Sequence, residues 1–221
     1  MYYTETHLHT AETSPCGKLP AAEEMQIYHE AGYSTVFVTD HYSEIGFRMN
    51  GAQTLADRPA ILLRGYRAAR EAGEKLGMTV LLGAEIQLLC SPNHYLLYGA
   101  DEAFFETAPD LLLFTPEQLY DFVNEHGFFL TQAHPFRGKC TPTPHAVHAM
   151  EAYNSTPSYF VETDEARVSE LNRAYHLPLT GGSDCHRLED ACRTGIITKI
   201  PIRTASDFRE VLRTGEFEIK R

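Results

Sequence analysis

The chain has 221 residues, 43% hydrophobic and 22% charged, an ordinary composition for a globular protein with room for one α/β domain spanning 1–221. Its formal charge of −11 argues against broad contact with nucleic-acid phosphates, and no apolar run approaches the roughly 18 residues of a membrane span. Five scattered cysteines, without a C-x-x-C pair, do not form a disulfide framework or a thiolate zinc knuckle, and the start lacks the apolar core of a secretory signal, so a cytoplasmic location is expected.

Residues 2–9 are rich in aromatic and β-branched side chains and read as a first strand ending in HLH. Residues 19–32 read as a helix, with Pro20 at its start, Glu23 and Glu24 in its first turn and Gly32 at its end. A short buried strand is expected at 35–39, a loop over 43–57 and a helix over 59–76. MTVLLGAEIQLL and HYLLYGA read as strands separated by the turn residues Ser91, Pro92 and Asn93. An apolar stripe at Leu119, Phe122 and Val123 predicts a helix over 116–126. GFFLTQAHP is a strand, KCTPTP a loop, and HAMEAYN another strand. A helix over 159–175, a strand in LPLTGGSDCH, a strand in TGIITKI and a closing helix over 206–213 complete the chain. This alternation implies parallel strands joined by helical crossovers, in six or seven βα units. The expected fold class is α/β, a distorted (βα)7 barrel, with an open doubly wound sheet as second choice.

The eleven histidines are out of proportion, and many stand at strand ends beside acidic residues. His7 and His9 lie two apart, so in an extended chain both rings face one point. Asp40 and His41 close the second strand, and Glu85 lies near the end of the third. His94 opens the fourth, His134 ends the fifth, and Asp184 and His186 end the seventh. Burying so many ionisable groups together without a cation would be costly, which points to a metal site on one rim of the barrel.

HLHT at 7–10, TDH at 39–41, GAEI at 83–86, His94, AHP at 133–135 and GSDCH at 182–186 together resemble the PHP (polymerase and histidinol phosphatase) family. Its members are metal-dependent phosphoesterases with a distorted barrel of seven βα units and up to three metals at the strand C-termini. Carried over, the resemblance implies that His7, His9, Glu85 and Asp184 hold one ion. Glu85 would bridge to a second ion that also takes His94 and His134, and His41 and His186 would hold a third. The departure is in the loop after HLHT, where many relatives supply one more His or Asp. Here Cys16 stands in the corresponding place, with Glu12 as the alternative; a thiolate would favour zinc or iron over manganese.

The resemblance implies hydrolysis of a phosphate ester by a metal-bridging hydroxide, with two or three divalent ions (manganese, zinc or iron). The expected substrate is a small phosphorylated metabolite, a phosphomonoester of the histidinol-phosphatase kind. The alternatives are a phosphodiesterase or exonuclease-type activity, a protein-tyrosine phosphatase, and a metal-stabilised binding module without turnover. Asp40 is a candidate for moving protons, or else orients His41. Arg137 and Arg193 are candidate phosphate clamps in rim loops. The 42–57 loop, including Arg48, is a candidate lid, and Tyr153 and Asn154 could line the pocket. His29, His126, His145, His148 and His176 are expected away from the site, and Cys185 in the core. No membrane or nucleic-acid partner is expected, and no oligomeric state follows from the sequence.

Overall fold

A computed structural model describes residues 1–156 and 165–221. The chain enters through β1 (Tyr2–Glu5), crosses α1 (Ala21–Glu30) to β2 (Tyr33–Val38), and places the two-residue β3 (His41–Tyr42) just beyond it. Helices α2 (Glu44–Met49) and α3 (Arg58–Lys75) lead to β4 (Thr79–Gln87) and β5 (His94–Tyr98). Then come α4 (Glu102–Thr107), α5 (Pro116–Glu125), β6 (Phe129–Ala133), β7 (Ala149–Asn154) and α6 (Glu165–Asn172). The chain finishes with β8 (Leu179–Gly182), β9 (Gly195–Thr198), α7 (Ala205–Thr214) and β10 (Phe217–Lys220). Of the helix expected over 159–175, residues 159–164 lie outside the described residues.

One sheet in the order β10-β9-β1-β2-β4-β5-β6-β7-β8 carries all of these strands but β3, which pairs with β4. Its ends approach each other beyond β1, where Thr6 Oγ1 donates to the Gly181 carbonyl at 2.8 Å and the Asp184 N–H donates to the His7 carbonyl at 2.8 Å. Leu8 and Cys185 form a parallel bridge there, and the sheet nearly closes into a barrel. The open doubly wound alternative does not hold.

Uniform βα repetition does not hold either. Pairs β1–β2, β2–β4, β6–β7 and β7–β8 are parallel, but β4–β5, β5–β6, β1–β9 and β9–β10 are antiparallel. For β4–β5 the physical reason is the length of the connection. A parallel crossover takes a dozen or more residues, whereas the stretch from Gln87 to His94 only allows the chain to turn back. Part of the expected 43–57 loop is α2, capped by Ser43, whose hydroxyl accepts from the Gly46 N–H.

Alternation along the strands sorts the core. Val36 and Val38 face outward into a cluster with Met25 and Tyr28 of α1 and Ala69 of α3. Phe37, Leu96 and Tyr98 face inward and meet Phe208 and Val211 of α7, which close the barrel floor. Each large side chain buried there contributes about 1.5–3 kcal/mol. That apolar floor supports a rim made of polar groups, which is where the site lies.

Candidate metal centre

The β3–β4 pairing puts His41 directly opposite Glu85, and the antiparallel course of β5 brings its first residue, His94, opposite Ala133. Thus His94, although it opens a strand, lies on the same rim as His134, which follows the end of β6. His134 and Asp184 both adopt the left-handed backbone region, with φ of 29° and 52°, an arrangement rare for non-glycine residues and found preferentially at functional sites. Gly182 lets β8 come close to the first histidine: a Cβ there would stand 2.5 Å from His7 Cβ and 2.6 Å from Glu151 Oε1.

The donor atoms converge. His7 Nε2 and His9 Nε2 are 3.1 Å apart, and Asp184 Oδ1 lies 3.3 and 3.1 Å from them. Glu85 reaches the same two nitrogens at 3.4 Å through Oε1 and 3.5 Å through Oε2. Ligands about 2.1 Å from an ion stand about 3.0 Å apart at the corners of an octahedron and about 3.4 Å apart in a tetrahedron. The observed spacings fall in that range, and the residues present fit a divalent cation. Glu85 also faces His94 Nδ1 at 2.9 Å, His134 Nε2 at 3.0 Å and His41 Nδ1 at 2.7 Å. Among the described residues the buried Glu85 Oε2 and His94 Nδ1 make no well-formed hydrogen bond although they face His41 Nδ1 and Glu85 Oε1, so nitrogen and oxygen meet there without a proton aligned between them.

Among the described residues four overlapping triads capable of holding an ion result: His7/His9/Glu85, His7/His134/Asp184, His41/Glu85/His94 and His9/His41/His186. They differ in detail from the expected sets. His9 stands close to the third group as well as the first, its ring 4.2 Å from that of His41 and 4.4 Å from that of His186. Cys16 completes that corner, its Sγ 3.1 Å from His41 Nε2, on a loop tied to His186 by the Lys18 N–H. Glu12 does not take part: its carboxylate accepts from the Ala21 N–H at the start of α1.

The electrostatics of the cluster ask for positive charge. Burial would push the Glu85 and Asp184 carboxyls up, yet both are held well below the ordinary range by neighbouring histidines and, for Asp184, by Arg137. Burial pulls His7 down, but Asp184, Glu151 and Glu85 outweigh it and raise the ring well above 6.5. His9 goes the other way, lowered well below 6.5 by burial and by His41 and His186. A proton, or a cation in its place, is favoured at His7 Nε2.

A carboxylate outside the expected set orients this ring. Glu151, in the middle of β7 and fully buried, accepts at Oε1 from His7 Nδ1 at 2.9 Å and at Oε2 from the His134 N–H at 3.0 Å. Its only sequence signal is an acidic residue within the otherwise uncharged strand AMEAYN. Glu5 acts similarly on the backbone, accepting from the N–H groups of Thr6, His7 and Ser183. Asn154 donates to Glu151 and Asp184, behind the donor cluster.

Asp40 is placed behind the cluster. It is buried, with its oxygens occupied by the Thr10 N–H and hydroxyl and by the Ser14 hydroxyl, so it has no access to a substrate proton. Ser14 in turn accepts from the His41 N–H and meets His9 Nδ1 at 3.3 Å, which makes Asp40 an anchor for the histidine loops. Arg137 is at the site: its Nη1 lies 2.5 Å from Asp184 Oδ2, while its buried Nε and Nη2 have no hydrogen-bond partner among the described residues. Arg193 is exposed and joins none of the cluster's hydrogen bonds or ion pairs among the described residues. Arg48 lies in a side pocket with Glu44 and Arg58, away from the histidines. Of the excluded histidines, His145 pairs with Glu117 and His148 with Asn124 and Leu130, and Cys185 is fully buried in the core.

The structure is a nearly closed α/β barrel whose rim gathers histidines and carboxylates in an arrangement that fits divalent ions. A family model described as PHP-associated matches residues 164–217. Among solved structures, the chain is similar to a two-domain protein from Bacteroides vulgatus containing a predicted PHP-like metal-dependent phosphoesterase. The TM-score is 0.71 at 16% identity, covering 99% of this chain and 64% of that one. PsfC from Pseudomonas syringae gives 0.64 at 19% identity, covering 94% and 87%. A lesion-specific endonuclease from Pyrococcus furiosus, PfuEndoQ, gives 0.58 at 15% identity, covering 99% and 57%. At such identities the likeness concerns the fold. No curated protein matches the chain. The family match is confined to residues 164–217, and the likeness to the solved structures is one of fold. Among the described residues no helix is long and apolar enough to cross a membrane.

Proposed function

We propose that the chain is a metal-dependent phosphoesterase acting on a phosphomonoester of a small molecule. The observation that carries this reading is Glu85, a buried carboxylate faced by five imidazoles within 3.5 Å, beside an arginine with two unpartnered N–H groups. His7, His9, Glu85 and Asp184 would hold one ion, and Glu85, His94 and His134 a second. Cys16, His41 and His186 would hold a third, with a sulfur ligand that favours zinc or iron there. Bound divalent ions supply Lewis acidity, a more acidic water and charge for the developing phosphoryl oxygens.

The chain's own residues do the rest. Arg137 keeps Asp184 ionised and oriented through Nη1, and its charge, with Nε and Nη2 buried beside the cluster, favours a phosphoryl group there. Glu151 fixes His7 with its Nε2 toward the cluster, and Ser14 does the same for His9. His41 and His94, 17% and 22% exposed where their neighbours are buried, mark the side from which an ester enters. The endonuclease among the similar structures raises the diester alternative, but this chain's charge of −11 supports a small ester over a nucleic acid.

The test is phosphate release by manganese-loaded protein from a panel of monoesters and diesters. Turnover of monoesters that is lost in Glu85→Gln supports the reading. Turnover of diesters alone replaces it with the phosphodiesterase reading, and silence from protein shown to be metal-loaded replaces it with a binding role.

A further inference from the structure

Beside the entrance to the cluster lies a cavity of about 330 Å³, at the small end of the range for ligand sites. His41, His94 and Cys16 form its inner end, and Pro15, Ile45 and Met49 are its apolar walls. The rest of its lining is Ser43, Gly46 and Gln87, so among the described residues no carboxylate, lysine or arginine faces it.

Ile45 and Met49 are four apart on α2, on one face of the helix, and are 58% and 66% exposed. A six-residue helix gains little from its own hydrogen bonds, yet this one is fixed at both ends. Ser43 caps its start, and Asn50 donates from Nδ2 to the Thr13 carbonyl at 2.8 Å and the Gly46 carbonyl at 2.9 Å. Gly46 lets the helix lie against the metal-site histidine, since even a Cβ there would be 3.7 Å from His41 Cβ and 2.9 Å from Ser43 Oγ. Two large apolar side chains are therefore held in water, next to the entrance.

We propose that this cavity binds the alcohol part of the ester, and that this part is uncharged and apolar: a short alkyl chain or a single ring, with at most one polar group for the Gln87 amide. The assignment rests on the phosphoesterase reading for the phosphate end. A charged alcohol would surrender hydration against Pro15, Ile45 and Met49. The lining's titratable groups, Cys16, His41 and His94, stand at the inner end, where they would be engaged by the ions. An apolar alcohol instead removes Pro15, Ile45 and Met49 from water.

The test uses manganese-loaded full-length protein and three esters with the same reacting group: n-pentyl, 5-aminopentyl and 5-carboxypentyl phosphate. The expected kcat/KM for the neutral ester exceeds the charged ones by at least about tenfold, the scale on which apolar pockets discriminate. Met49→Glu is expected to raise KM for pentyl phosphate and to shift preference toward the aminopentyl ester. Equal kcat/KM for all three overturns the inference and leaves the phosphoesterase reading standing. Calorimetric binding of methylphosphonate and pentylphosphonate separates the two ideas without turnover. Tighter binding of the pentyl compound, lost in Met49→Glu, supports the pocket even if no ester is hydrolysed. Equal binding overturns it whatever the turnover.

Discussion

His7 Nδ1 stands 2.9 Å from Glu151 Oε1, and both side chains are wholly buried. The carboxylate fixes which nitrogen of the ring turns toward Glu85 and Asp184, and through Oε2 it also holds the strained backbone of His134. Groups that orient a metal ligand in this way typically account for a 10–100-fold effect on metal affinity. Glu151→Gln keeps the shape and loses the charge. It is expected to weaken manganese binding at least about tenfold while the circular-dichroism spectrum stays that of the parent. An isothermal titration showing parent affinity would remove Glu151 from the site.

In the proposed centre Cys16 would decide the identity of one ion. Burial pushes its thiol up, but hydrogen bonds to His186 and His41 bring it down to about 6, so the sulfur is an anion at neutral pH. A thiolate prefers zinc to manganese, whereas a hydroxyl in its place does not. Cys16→Ser is expected to lower zinc retention after dialysis by about one ion per chain and to leave manganese content unchanged. In cobalt-loaded protein the same variant should lose the sulfur-to-metal charge-transfer absorption. Persistence of that absorption in Cys16→Ser would place the sulfur ligand elsewhere.

What could be read from the sequence and what could not divide along a physical line. His7, His9, His41, Glu85, His134 and Asp184 were legible because each stands at or just past the end of an apolar run, so local pattern alone places it on a barrel rim. Glu151 was not legible, because its role exists only once β7 lies beside β8 and the sheet closes near His7. Asp40 stayed between moving protons and orienting His41 for a related reason. TDH looks like a pair of reactive groups, and only the packing of Thr10 and Ser14 against Asp40 shows that it faces away from the opening. The antiparallel course of β5 was legible in principle from the short Gln87-to-His94 connection, but strand alternation suggested parallel neighbours throughout.

His148 gives a pH dependence that is independent of the metal cluster. In the structure its Nδ1 accepts from the Leu130 N–H at 3.0 Å and its Nε2 meets Asn124 Oδ1 at 2.9 Å, which is the pattern of a neutral ring. Burial, helped by the charge of Arg209, lowers its pKa below 6.5. The unfolded chain therefore binds the proton more readily than the folded one. Stability contributed by neutral His148 is present above the unfolded value and is lost as pH falls below about 6.5. His148→Asn retains an acceptor that does not titrate. Its urea midpoint is expected to fall less than the parent's between about pH 7.5 and pH 5.5, a hydrogen bond of this kind being worth about 0.5–1.5 kcal/mol. Parallel pH profiles for the two proteins would sink this assignment.

Gly182 links fold closure to the site. It is the last residue of β8, packed so closely that one added methyl would meet both His7 Cβ and Glu151 Oε1. Neither neighbour can yield easily, since His7 is held by Glu151 and Glu151 by the His134 N–H and Asn154. Gly182→Ala is expected to cost about 1–3 kcal/mol, the usual penalty of overpacking a tight interior. The strain has two outlets: β8 can withdraw, reopening the contact between Asp184 N–H and the His7 carbonyl, or the His7–Glu151 pair can separate. Either movement disturbs the His7–Asp184 spacing, so the loss of stability should come with a loss of metal affinity. A denaturant midpoint and a metal titration on the same preparation check both. A variant that loses stability but binds metal as the parent does would show that the strain is absorbed away from His7 and that closure and site are independent.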